Sequence, residues 1–104
     1  MRTLALLLAL SPVLALAQTS SEADSLLARQ LSFRVEADQA GRGLVTLALR
    51  QGRQPDAADG AFASAIDSLN TAWLKGVVAE RGWPKVSEVG EQGASDAWLL
   101  AQHA

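Results

Sequence analysis

Apolar side chains fall into four stretches along the chain. From Leu4 to Ala17 the run is nearly unbroken, interrupted only by Ser11-Pro12. In the second stretch Leu27, Leu31, Val35, Val45 and Leu49 share one helical face, and Leu26, Phe33, Ala37, Leu44 and Leu47 widen it. That spacing predicts a helix from about Glu22 to Arg50. Ser20 or Ser21 would be its N-cap, with Glu22 and Asp24 at its positive end. Gly41 and Gly43 lie inside it and cost about 1 kcal/mol each relative to Ala, so a kink, a break or a close helix–helix contact is expected there. Gln51 to Pro55 is a loop. In the third stretch Phe62, Ile66, Leu69, Trp73 and Val77 form a continuous stripe, opened by Asp56 as cap with Asp59 in the first turn. Gly82 and Pro84 close it, the first permitting a left-handed residue and the second unable to continue a helix. After a loop over Trp83 to Gly90, a third helix starts near Gly90 or Glu91. It carries Ala94, Ala97, Trp98 and Ala101 on one side and reaches the end at Ala104. The fold class is therefore all-α: about three helices around Phe62, Ile66, Leu69, Trp73, Val77 and Trp98, closed by the apolar face of the first helix.

The leading apolar run does not belong to that domain. Arg2 supplies a positive n-region, the Leu/Ala run an h-region, and Ala15-Leu16-Ala17 small residues at the cleavage-reading positions. Residues 1–17 read as a cleavable signal peptide cut before Gln18. The run is too short for a membrane span and holds a proline in its middle. Residues 18–21 then form a polar tail and residues 22–104 the helical domain, exported to the periplasm or secreted. No integral membrane span is expected after cleavage.

Composition narrows the partners. Cleavage takes Arg2 from the 9 basic side chains and leaves the 11 acidic ones, a net charge of −3. Nucleic-acid binding, which needs clustered Lys and Arg, is disfavoured. The chain has no Cys, so no disulfide helps an 87-residue domain and packing has to hold it.

Few residues carry chemistry. Arg34, Asp38 and Arg42 stand four apart, placing one carboxylate between two guanidiniums. This is either a carboxylate poised for a ligand or an i,i+4 ion-pair ladder worth about 0.3–0.5 kcal/mol per exposed pair. Asp67 and Asn70 share a helix surface beside the apolar stripe, as pocket groups or as ties to a neighbouring helix. His103, the only histidine, is a candidate general base. It has no second His or Cys to complete a metal site, so neither metal nor cofactor is expected. Trp83-Pro84 either packs back on the preceding helix or floors a pocket. No G-x-S-x-G elbow, phosphate-cradling Gly loop or H-E-x-x-H occurs.

These residues also form an ordered pattern: E-x-D-Q-x-x-R at Glu36 to Arg42, D-x-x-N at Asp67 to Asn70, Gly82-Trp83-Pro84, Ser87-x-Val89-Gly90, and Ala97-Trp98-Leu99-Leu100-x-Gln102-His103-Ala104. The pattern resembles the bacterial family called domain of unknown function 6624, from about Arg34 to Ala104. The resemblance implies a mainly helical domain of unassigned activity. It further implies a longer domain, since family members run on past the Q-H element to another helical segment and polar motif. The chain would then be the N-terminal part of an incomplete helical domain. Two functions follow as expectations. With no complete catalytic constellation, the leading one is a binding or interaction module of unknown partner. The alternative is part of an enzyme in which Asp38, Arg42, Asp67, Asn70 and His103 make half of a polar site. A homodimer that covers apolar helix faces is a third possibility.

Overall fold

The computed structural model describes residues 22–104 in full; the leader, the tail over 18–21 and the N-cap at Ser20 or Ser21 lie outside them. Three helices are present, α1 (Arg2–Arg50), α2 (Ala57–Arg81) and α3 (Val86–Gln102), with no strand among the described residues. The expected all-α domain is what forms. None of the described helices is long and apolar enough to cross a membrane.

Cross-contacts give the topology. Arg81 pairs with Asp24, Asn70 with Arg34, and Ala63 lies against Gly41, so α2 runs antiparallel to α1. Gly93 approaches Ala28 and His103 meets Asp38, so α3 runs parallel to α1. All three helix pairs pack, making an up-down-up bundle. Of the three candidate causes for the α1 glycines, Gly41 shows the close helix–helix contact. A Cβ there would sit 3.2 Å from the Ala63 Cα, so its hydrogen marks a close α1–α2 contact, while Gly43 faces open space. The helix runs through both without a break.

Boundaries follow local chemistry. Asp56 is extended and its carbonyl accepts from the N–H groups of Asp59 and Gly60, but its carboxylate makes no cap hydrogen bond. Gly82, at φ +82°, ends α2 and donates its N–H to the Val78 carbonyl at 2.9 Å. The third helix begins earlier than expected. Glu88 accepts the Lys85 N–H at 3.0 Å, holding a first turn over Val86 to Val89 that was expected to be loop. Gly90, at φ 77°, then breaks the helical path before it resumes.

The core matches the expected one only in part. Its buried members are Leu27 and Leu31 of α1, Leu74 of α2, and Val89, Ala97 and Leu100 of α3; Val35, Trp73, Val77 and Ala94 pack against them. The α1 face matches its apolar period over Leu27, Leu31 and Val35. On α2 the inward face is rotated off the apolar stripe: Asn70 and Leu74 are buried, whereas Leu69 is 67% exposed and Phe62 is also exposed. On α3, Trp98 is 59% exposed while Ala97 is buried. On α2 the buried polar Asn70 turns its neighbour Leu69 outward; on α3 Asp96 and Ala97 take the inward positions and the next residue, Trp98, faces out.

Gly93 is required by the break within α3 itself. A Cβ there would lie 2.7 Å from the Val89 Cβ, which is fixed to the backbone beside the Gly90 break. Overpacking of this kind costs about 1–3 kcal/mol, more than the roughly 1 kcal/mol of helix propensity that Ala gains over Gly. Gly93→Ala should lower the urea midpoint followed by tryptophan fluorescence, whereas Gly43→Ala, facing open space, should raise it.

Candidate functional site

The five residues singled out in the sequence lie on the inward sides of three different helices. Asp38 continues the α1 register of Leu27, Leu31 and Val35, which carries its carboxylate into the bundle, 2% exposed. A charge so buried is tolerated only when its lone pairs are taken up. Oδ2 accepts from Gln39 Nε2 at 2.8 Å. Oδ1 lies 2.8 Å from His103 Nδ1 and 3.3 Å from Arg42 Nε. Arg42 then reaches outward, its Nη2 donating to both Asp67 oxygens at 3.0 Å. Asp38, Arg42, Asp67 and His103 thus form one network joining α1, α2 and α3.

Asn70 stands next to this network rather than in it. Its Nδ2 donates to the Arg34 carbonyl at 3.2 Å and its Oδ1 accepts from Arg34 Nη1 at 3.1 Å. Of its two expected roles, the helix tie is the one it performs. The expected Arg34–Asp38–Arg42 ladder is only half formed. Arg34 turns away from Asp38, toward Asn70, and lies over the Trp73 ring at 4.4 Å from its centroid. Burial there draws the Arg34 guanidinium below its ordinary value.

Protonation states follow from the geometry. Burial works to raise the Asp38 carboxyl, but hydrogen bonds from His103 and Gln39 and the charges of His103 and Arg42 outweigh it and hold it below its ordinary value. Asp38 is therefore an ionised acceptor. Arg42 Nε also lies 3.0 Å from His103 Nδ1, yet it can donate there only if Nδ1 is bare. That would set a lone pair against a carboxylate oxygen 2.8 Å away. The favoured tautomer carries its proton on Nδ1 and donates it to Asp38, leaving Nε2 as the imidazole's free nitrogen. His103 borders an open cleft of about 540 Å³ with Asp67, Ser64, Ser68, Thr71 and Lys75.

Asp38, Asp67 and His103 each offer a ligand atom, all within 4.8 Å of one another, a set that fits a cation. Spacing along the chain gives no sign of this trio, because its members lie 29 and 36 residues apart. The cation beside it here is the Arg42 guanidinium, which donates to both carboxylates. Gln39 and Lys75 are the other site residues not singled out by spacing. The signal for Asp38 was its register, since a carboxylate continuing an apolar face has to be buried. Trp83 lies along the last turns of α2, bordering a second cavity with Leu74 and Val78.

In comparisons with known proteins, no family model, no curated protein and no solved structure matches the chain.

The lowered Asp38 value gives a signed pH dependence. A carboxyl depressed in the folded state contributes its stability above the unfolded value, about 3.9 for Asp, and loses it as pH falls through the lower folded value. Wild-type stability should therefore fall below about pH 4, and Asp38→Asn should show a flatter acid limb in urea titrations between pH 2 and 6, taken as roughly the range bracketing that value.

Proposed function

We propose that the chain carries an acid–base site in which His103 moves the proton and Asp38 holds the imidazole in place. The observation that carries this reading is the 2.8 Å contact between His103 Nδ1 and a carboxylate 2% exposed. A fixed Nδ1–H···carboxylate bond sets the tautomer, orients the ring and stabilises the imidazolium that forms when Nε2 takes a proton. Arg42 and Asp67 add a rigid ion pair at the cleft wall, and the hydroxyls of Ser64, Ser68 and Thr71 line the space a substrate would enter. This develops the enzyme alternative drawn from the sequence, with Asn70 moved from the site to its scaffold. Membership of the 6624 family remains part of the proposal. It is supported by the fact that Asp38, Gln39, Arg42, Asp67 and His103, all drawn from the motif elements, meet in one network.

A second reading, the interaction module, is favoured by exposed apolar side chains on outer faces, notably Phe33, Leu69 and Trp98. A homodimer through such faces belongs to it and would be seen as a concentration-dependent mass in sedimentation equilibrium.

A panel of chromogenic ester, phosphate and glycoside substrates tests the first reading. Turnover should fall at least a hundred-fold in His103→Ala and in Asp38→Asn, in line with the roughly 10²–10⁴ contributed by positioned acid–base groups. Loss in His103→Ala with Asp38→Asn fully active would remove Asp38 from the mechanism; no turnover on any class would favour the interaction module. The signal-peptide pattern supports a site working outside the inner membrane, so protein recovered from the exported fraction of a bacterial host should begin at Gln18 by N-terminal sequencing.

A further inference from the structure

The cleft beside His103 does not end at its polar walls. Thr71, Lys75 and Ala104 border it and also border a second cavity of about 290 Å³, whose remaining lining is Leu74, Val78, Trp83 and Ala101. One side of the shared boundary is hydroxyl-rich and reaches His103. The other is almost wholly hydrocarbon. Both cavities lie along one face of α2, because Ser64, Ser68, Thr71, Lys75 and Val78 follow each other at three- and four-residue spacing. A ligand lying along that face would meet polar groups first and an apolar slot second.

Lys75 stands where the two halves join. Its side chain belongs to both linings, and among the described residues no carboxylate lies within ion-pair distance of it. Asp67, the acidic residue of the polar half, already has its charge taken up by Arg42 at 3.0 Å. A lysine in this position lays its methylene stem along apolar surface and keeps its ammonium at the polar edge.

We propose that this two-part cleft binds an amphipathic acyl compound, with its carboxyl or carbonyl head beside Lys75 and the hydroxyls of Ser68 and Thr71, and its alkyl chain in the slot formed by Leu74, Val78, Trp83 and Ala101. The inference deepens the acid–base reading by naming a substrate class for it: the head group lies in the cleft that His103 borders. The slot is an open groove, with Val78 and Trp83 still 40% and 43% exposed, so it covers one side of a chain and suits a medium-length one.

Titration calorimetry with straight-chain alkanoates tests it directly. Acetate, which has the head alone, should give no measurable binding, and octanoate should bind. Between hexanoate and octanoate, affinity should rise about tenfold, since a fully buried CH₂ contributes about 0.8 kcal/mol, or roughly fourfold. Val78→Asp, a change at a half-exposed position, should abolish the chain-length dependence. Lys75→Gln should weaken every alkanoate by a similar small factor and leave the dependence on length intact. Circular dichroism of both variants confirms that they are folded. Octanoate binding no tighter than acetate, or a chain-length dependence unchanged in folded Val78→Asp, overturns the proposal.

The two readings fail separately. His103→Ala should still bind octanoate, because that histidine moves protons and does not hold the chain. If octanoate binds as described and no acyl ester is turned over, the ligand assignment stands and the acid–base reading falls. If acetyl and octanoyl p-nitrophenyl esters are both turned over with equal kcat/KM, the acid–base reading stands and the acyl slot is overturned.

Discussion

A single buried charge organises this bundle. Asp38 lies inside an apolar register on α1, and an uncompensated carboxylate there would cost several kcal/mol. Its compensation comes from its own helix through Gln39 and Arg42 and from α3 through His103; Arg42 passes the constraint on to Asp67 of α2. Each helix is thus held in rotation and in register by a directional bond, which apolar packing alone does not enforce. Sliding α3 by one residue would carry His103 round its helix by about 100° and leave Asp38 with a lost donor. At the opposite end, Arg81 pairs with Asp24 and Glu88 across the same three helices, but no group there is sealed from solvent as Asp38 is, so their attraction is screened.

The apolar core supports this arrangement by being small. Leu27, Leu31, Leu74, Val89, Ala97 and Leu100 fill it, and no cysteine is available to cross-link it. Where α1 and α2 come closest, the contact is made by Gly41 against Ala63. Close axes let short polar side chains such as Asp38, Asp67 and Asn70 span between helices. With a larger residue at Gly41 these two helices would stand further apart, and the polar groups that reach across would fall short of their partners. Small residues and the polar network are therefore one device.

That coupling also explains what could be read from the chain beforehand. The helices of α1 and α2, the stop at Gly82 and the apolar face through Leu27 and Leu31 are local properties, written in period and in caps. The first turn of α3 escaped because it is built by Glu88 reaching back to the Lys85 N–H, ahead of the Gly90 break. The inward faces of α2 and α3 escaped for a deeper reason. Hydrophobic period identifies the buried face only where burial is apolar, and here Asn70, Asp67, Asp96 and His103 take inward positions. Leu69, beside the buried Asn70, and Trp98, beside the buried Asp96 and Ala97, face outward. Local rules and the observed fold part company at the residues that carry the candidate chemistry, which is where a functional constraint competes with packing. The pairing of Arg34 with Asn70 and Trp73 instead of Asp38 was equally beyond reach, since i,i+4 spacing states who is near on one helix and nothing about the neighbouring one.

The site has a graded exposure that bears on how it would work. Side-chain exposure rises from 1% at Asp38 to 24% at His103, 30% at Asp67 and 38% at Arg42. The group that never needs to meet a ligand is sealed, and those that would meet one are progressively open. Burial of Asp38 strengthens its hydrogen bond to Nδ1, because the effective dielectric falls with depth, while the more exposed imidazole edge can exchange protons with solvent or substrate. Reversing the order, with a buried histidine and an exposed carboxylate, would give a stable tie but no route for a proton. The Asn70–Arg34 tie also runs from a buried to a half-buried group, but it ends on a backbone carbonyl and holds no group that exchanges a proton near neutral pH. The imidazole at the open end is what distinguishes the Asp38–His103 pair from the structural bonds around it.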